Sequence, residues 1–487
     1  MKKPSILRLV LAGVAAGLLL ATKHSGILLA PMLVLLIAYE VLGAEKSTRG
    51  RVALRLTGAF AAVVVIGVAV LWSFYGFRYA ARPAGLALTT PLAEYVKPLS
   101  QFNQAGVMAI AHMHLLPESY LMGLVDVKRM AQFYPTFILG KQIPHGVWWY
   151  FPVVIVIKTT LGLMGLVLLS FFAILTRKLK KGREVTYILI PWAVYLAVAI
   201  LSGMNIGSRH ILPLYALAAI LSGAGVMTLS ADSKVWARVC GVLVVAHVVS
   251  ALTVFPNDIA YANEAWGGPK NLHNLLSDAN VDWAQQLISV KKWQDKHPNE
   301  ECWFAYFAYP EVDTATYGIH CHHLPTTDTL WQSTYKWGGP DVVPATIHGT
   351  VLLSAGDLSG CEWPTGEVSP YRDFQSIKPD ESIDYAVFVY RGTFDMKYAA
   401  GLSRAQLAIL AMEAGKMQEA LELAREGVSM DPSEIDAQTV LGDAAWANGQ
   451  KDEAHAAWTA ALGEAKKLDP EAQPSYVPGL ERKLGRL

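Results

Sequence analysis

The chain has 487 residues, of which 53% are apolar and 17% charged, with a formal net charge of +1. A charged share well under the roughly one quarter of soluble domains excludes a uniformly water-soluble chain. No basic stripe offers a footing for nucleic acid, which excludes that class of partner. The averages hide a division. Residues 1–255 are mostly apolar runs, and residues 256–487 carry most of the acidic groups.

The N-terminus is basic and then apolar, as in a signal peptide. A second apolar run follows after a few residues, with no small-residue cleavage site between, so the pair reads as a retained helical hairpin. A spanning helix needs about 20 apolar residues. Seven stretches approach that length, near 5–22, 26–43, 54–76, 151–175, 185–203, 210–230 and 236–255. One such run could be a buried core helix, but seven within 255 residues predict a multi-pass membrane half. Lys and Arg in short loops mark the cytoplasmic side. Lys2, Lys3 and Arg8, then Lys46, Arg49, Arg51 and Arg55, then Arg177, Lys178, Lys180, Lys181 and Arg183, then Lys234 and Arg238, fall on one side if there are seven spans. The alternate loops and everything after Phe255 are then extracytoplasmic.

Segment 77–149 is an outer loop, too long for a turn and too mixed to span. It has amphipathic stretches near 104–116 and 119–134 that suit a membrane surface. It ends in Trp148-Trp149-Tyr150-Phe151-Pro152, aromatics of the kind that anchor a span at the interface. Basic groups sit where the orientation rule disfavours them. Lys23 and His24 are in the first outer turn, Arg209 and His210 open the sixth span, and Lys158 lies about 12 Å down the fourth at 1.5 Å per residue. Lys158 either snorkels to the interface or joins Lys23, Arg209 and His210 around an anion at the outer leaflet. A phosphate on a lipid carrier fits the second reading, since cations would hold it and stabilise it as a leaving group.

Residues 256–392 alternate between helical stretches near 268–276 and 282–296 and strand-like runs at 302–307, 350–354 and 385–390, which predicts a small α/β domain. Four cysteines are present. Cys240 lies in a span. Cys302, Cys321 and Cys361 lie outside, where disulfides are permitted, and Cys302 with Cys321 is the favoured pair. His320, His322 and His323 flank Cys321, but no second cluster has ligand spacing, so a surface loop is the reading there and no metal is expected. In residues 400–487, Leu407, Gly415, Glu419 and Ala420 recur as Leu441, Gly449, Glu453 and Ala454, each 34 residues on. That is the tetratricopeptide period. The small residues are expected to let paired helices approach closely. Such a pair either binds a peptide partner or packs on the rest of the chain.

Four stretches carry a resemblance. They are Gly17-Leu18-Leu19-Leu20-Ala21-Thr22-Lys23-His24-Ser25; Trp148 to Pro152 running on to Ile157-Lys158-Thr159; Ser208-Arg209-His210-Ile211-Leu212-Pro213-Leu214-Tyr215; and Tyr261-Ala262-Asn263-Glu264 with Gly267-Gly268-Pro269 and Ser277-Asp278-Ala279-Asn280-Val281-Asp282-Trp283. In order and spacing they resemble the polyprenyl-phosphate-dependent glycosyltransferases related to dolichyl-phosphate-mannose protein mannosyltransferases. The resemblance implies a multi-pass α-helical fold of about seven spans, a periplasmic α/β appendage and sugar transfer from a lipid-phosphate carrier. It also implies that Lys23, Lys158, Arg209 and His210 contact the donor phosphate, in a bacterial inner membrane. No further cofactor is expected. The family carries its acidic catalytic motif in the first outer loop, and that loop would lie upstream of Met1. Glu94, Glu118 and Asp126 are the acidic groups of the remaining outer loop, each read as a surface charge, so the catalytic base is unassigned. Asp278, Asp282 and Trp283 are read as capping and packing. Two other functions stay open. One is a non-catalytic membrane scaffold displaying the repeats, and the other is a transporter, although no internal pseudo-symmetry is evident.

Overall fold

The computed structural model describes residues 5–485 apart from 81, 84, 87, 133, 180–181, 307–311, 327–339 and 362. Lys2, Lys3, Lys180, Lys181 and Phe307 therefore lie outside the described residues. The chain is helix-rich. Among the described residues five helices are long and apolar enough to cross a membrane: His24–Gly43, Arg49–Phe74, Gly182–Leu201, Ser208–Asp232 and Lys234–Leu252. Exposed Val65, Met227, Val242 and Val245 stud their outer faces, a surface suited to lipid rather than water. All seven predicted runs are helical, but two differ from a simple span. Ile6–Thr22 has 17 residues, short of the usual length. The fourth run is two helices, Tyr150–Lys158 and Leu161–Leu175, that meet at 113°.

Packing divides the chain into two units, one of residues up to Tyr134 with Gly165–Met204 and Ile211–Cys240, the other of Pro135–Met164, Asn205–His210 and Gly241–Leu487.

In the first unit, α1 (Ile6–Thr22) lies against α3 (Arg49–Phe74) through a glycine seam. A Cβ on Gly17 would stand 2.5 Å from Val70 Cβ, and one on Gly13 would stand 2.6 Å from Ile66 Cβ. Small residues at this spacing let membrane helices approach backbone to backbone. Helix α2 (Leu29–Gly43) is tied to Gly182–Leu201 by Glu40, which accepts from Arg183 Nε at 2.6 Å and Tyr187 Oη at 3.1 Å. Three helices of segment 77–149, α4 (Leu92–Tyr95), α5 (Gln101–His112) and α6 (Glu118–Met130), close on a small core of Leu92, Val96, Leu99, Ala111, Leu121 and Val125. His24 seats in a notch of the last of them: a Cβ on Gly123 would fall 2.5 Å from its ring, which also leans on Tyr120 at 5.0 Å.

The second unit contains a ribbon of β1 (Thr136–Ile138) with β2 (Lys141–Ile143) and a mixed five-stranded sheet of order β4-β3-β5-β7-β6, where β3 is Cys302–Ala305, β4 His322–His323, β5 Thr346–Ser354, β6 Glu381–Ile383 and β7 Val387–Asp395. Strand β3 runs parallel to β4 and β5, and β5 and β7 pair antiparallel along their full length. Residues 350–354 are buried on both faces, which is why their middle, Val351 to Leu353, is apolar without alternation. Cys302 and Cys321 form a disulfide. Leu287, Val290 and Trp293 of the helix Leu287–Lys296 fill the core beside that bond. Of the helix expected over 282–296, only this part forms, and 269–274 is a 3-10 turn.

The C-terminal residues form two helical hairpins, Lys397–Glu413 with Met417–Met430 and Ile435–Ala447 with Lys451–Ala465, followed by Val477–Leu484. Ala420 and Ala454 are fully buried at equivalent places. Gly415 and Gly449 serve a purpose other than the close approach expected of them. Each has φ +76 in the turn, and a Cβ on either would meet nothing within 4 Å. Their role is the left-handed conformation at the helix end. Trp458 fills the second hairpin and lies so close to Gly442 that a Cβ there would be 2.2 Å from its ring.

Candidate functional site

The short helix α7 (Tyr150–Lys158) ends where its last carbonyls need partners. Asn263 supplies them from a segment more than a hundred residues away. Its Nδ2 donates to Val156 O at 2.6 Å and Thr159 O at 2.9 Å, and its backbone N–H donates to Ile157 O at 3.0 Å. The next helix starts with Thr160, whose Oγ1 accepts from Leu163 N at 3.1 Å and pairs with His247 Nδ1 at 2.7 Å. The break is therefore built by side chains at both of its ends.

Lys158 is the final residue of α7, at this bend, rather than part-way down an unbroken span. Its ammonium donates to Ile259 O at 2.6 Å and Asn280 O at 2.7 Å. Arg209 lies in a 3-10 turn, Ser208–Ile211, entered through Gly207 at φ +125. A side chain at Gly207 would press on Ala279 Cβ at 3.2 Å, so glycine admits the 277–283 segment here. The Arg209 guanidinium stacks on the Trp283 ring with 4.1 Å to the centroid. Lys158 and Arg209 are thus both applied to the segment Ser277–Trp283. Among the described residues, neither lies within 4.0 Å of a carboxylate oxygen.

Two carboxyls lie in that segment. Asp278 has φ +56 and accepts a hydrogen bond from the Ala279 N–H. Burial pushes its carboxyl up to about 6, against the pull of that N–H and of Arg209. Asp282 is 1% exposed and accepts from Ala284 N at 2.9 Å. Burial pushes it up to about 7, opposed by the Ala284 amide, the Ser354 hydroxyl and the Gly356 amide and reinforced by Asp278. Neither acid caps a helix end as expected: each accepts from a backbone N–H one or two residues on, and their raised pKa values make them two groups that can hold a proton near neutral pH. Beneath them Ser277 Oγ bonds Ser359 Oγ at 2.6 Å and donates to Cys361 Sγ at 3.4 Å, and that thiol is buried and unbridged.

His210 is half-buried in the same turn as Arg209, and its N–H donates to Gly207 O at 3.2 Å. Lys23 is an exposed, extended residue of the other unit. Of the four cations read from the sequence, Lys158, Arg209 and His210 therefore share one unit. Of the acids in segment 77–149, Asp126 and Glu94 are exposed, the first accepting from Tyr95 Oη at 2.5 Å and the second 3.6 Å from Lys97, whereas Glu118 is not the surface charge expected: it is part-buried in a pair with Arg82. His322 Nδ1 lies 3.3 Å from Asp341, and no group of three or more His, Cys, Asp or Glu among the described residues could hold a metal ion. Sequence reasoning missed Asn263, Asn280 and Tyr150, which carry no charge. Their signal was their place inside the quoted motifs. No family model matches the chain, and neither a curated protein nor a solved structure is similar to it.

Proposed function

We propose that the chain is a membrane glycosyltransferase that moves a sugar from a polyprenyl-phosphate carrier to an acceptor on the extracytoplasmic side. The observation that carries this reading is the placing of Lys158 and Arg209 on one segment, with carbonyls and an indole ring as their partners rather than carboxylates. An incoming phosphate offers both cations a stronger, charge-assisted partner. In the transfer, an acceptor hydroxyl attacks the anomeric carbon, the bond from that carbon to the phosphate oxygen breaks, the carrier phosphate leaves with the electron pair, and the hydroxyl proton passes to that phosphate or to solvent. Fixed cations lower the barrier by meeting the charge as it develops. Asp278 and Asp282 lie in the segment that both cations meet, and neither is assigned as the base.

The topology in this reading has seven spans, with the N-terminus cytoplasmic and the part after Phe255 outside, in a bacterial inner membrane. The bent pair counts as one span, and the hairpins are a tetratricopeptide pair open to a protein or peptide partner. A second reading, a non-catalytic membrane-anchored scaffold for envelope assembly, draws support from the fact that Lys158 already has two carbonyl partners.

The test is transfer of a radiolabelled sugar from a polyprenyl-phosphate donor by the full chain in proteoliposomes. Arg209→Ala and Lys158→Ala each lower the rate by about a hundredfold or more. Unchanged rates in both would remove the phosphate site. A correctly inserted chain that transfers nothing from any polyprenyl-phosphate sugar would leave the scaffold.

A further inference from the structure

We propose that Asn280 is a positioning residue that sets the spacing of Lys158 and Arg209; the inference rests on reading those two cations as the phosphate grip. Asn280 is fully buried, and its polar groups are divided among three separate stretches of chain. Its Nδ2 donates to Tyr150 Oη at 2.8 Å, at the start of α7, and to Ser277 O at 3.0 Å. Its Oδ1 accepts from Ser208 N at 2.9 Å, the residue before Arg209. Its own carbonyl accepts from Lys158 Nζ at 2.7 Å, at the far end of α7. The helix carrying Lys158 is therefore held at both ends by one residue, and the turn carrying Arg209 is held by the same residue's opposite edge.

A carboxamide is the side chain that offers two N–H donors and one oxygen acceptor in a fixed plane. A hydroxyl or an apolar group cannot connect Tyr150, Ser277 and Ser208 together. Trp283, three residues further on, receives the Arg209 guanidinium. Ser277–Trp283 thus acts as a gauge block: Asn280 fixes where each cation's backbone lies, and Asn280 O and the Trp283 ring fix where each charge rests. An anion spanning two cations needs their separation set before it arrives, because ordering them on binding subtracts from affinity.

Asn280→Ala and Asn280→Asp in the full chain, held in lipid nanodiscs, test this with two readouts. The first is the rate at which phenylglyoxal modifies Arg209, followed by peptide mass spectrometry, with the sheet residue Arg391, ion-paired to Glu300 at 2.9 Å, as internal control. The second is binding of undecaprenyl phosphate. Asn280→Ala is expected to raise Arg209 modification about fivefold or more, to leave Arg391 unchanged and to weaken undecaprenyl phosphate about tenfold or more, one lost tenfold being about 1.4 kcal/mol. Asn280→Asp keeps an oxygen for the Ser208 N–H and can take the Tyr150 hydroxyl as a donor, losing only the bond to Ser277 O, so Arg209 modification rises less than in Asn280→Ala. Arg209 reactivity unchanged in Asn280→Ala, or a matching rise at Arg391, would overturn the positioning role, the latter by showing general loosening. If the labelling follows expectation but the parent protein does not bind undecaprenyl phosphate, the positioning role stands and the phosphate-grip reading falls.

Discussion

Replacing Asn263 tests how the break after Lys158 is held. In the parent structure its Nδ2 satisfies Val156 O at 2.6 Å and Thr159 O at 2.9 Å, and its Oδ1 accepts from Ala265 N at 3.1 Å. Asn263→Ala leaves two carbonyls without a donor. A buried polar group stripped of its partner costs about 1–3 kcal/mol. Thr159 is buried and Val156 is exposed, so the Val156 share sits at the low end and the sum is about 2–4 kcal/mol. Asn263→Asp is closer in shape yet should be worse. It keeps the acceptor for Ala265 N but points a second oxygen at two carbonyl oxygens. The assay is hydrogen exchange of the full chain in detergent, read at peptides covering 150–165. Opening of α7 rises about 30- to 700-fold in Asn263→Ala, and further in Asn263→Asp. Parent-like protection in Asn263→Asp would refute the argument, because it would mean that the carboxamide nitrogen is not what holds the helix end.

Gly442→Ala pushes a methyl into the Trp458 ring and lowers the stability of the second hairpin by about 3 kcal/mol; Gly463→Ala, with nothing within 4 Å, should be neutral or stabilising. Exchange protection over 435–465 distinguishes the two. Asp282 has its pKa raised to about 7. The folded state therefore binds more protons than the unfolded one, and this contribution to stability is present at acid pH and lost as pH rises through about 7. Asp282→Asn should flatten the fall in stability between about pH 4 and 7, and an unchanged slope would show that another group governs it. Reducing the Cys302–Cys321 bond, or Cys302→Ser, removes a link across a separation of 19 residues and should cost the sheet about 3 kcal/mol in denaturant unfolding.

Hydropathy made the helical half legible, since lipid asks for length and apolarity and both are written locally. The bend was not legible, because Thr159 and Thr160 are weak breakers and the residue that holds the break is Asn263, distant in sequence. The runs 302–307, 350–354 and 385–390 marked the sheet, whereas the more polar strand ends 346–349 and 391–395 did not show, and the strand order depends on long-range pairing. The 34-residue recurrence pointed to paired helices, but the role of Gly415 and Gly449 required their dihedral angles. At the candidate site, charge drew attention to Lys158 and Arg209. Asn280 and Tyr150 were passed over because a neutral hydrogen-bonding residue looks alike whether it holds a site together or merely fills a core.

The first hairpin is already occupied along one side by its own chain. Ser403 Oγ accepts from Val343 N at 3.3 Å, Arg404 donates to Val343 O at 2.8 Å, and Gln406 donates to Thr326 O at 2.9 Å. Thr326 and Val343 are tethered residents, present at an effective concentration on the order of millimolar. A visiting peptide of equal intrinsic affinity would half-fill this side only near that same concentration, so a guest must either bind far more tightly than the residents or approach the hairpins from another side.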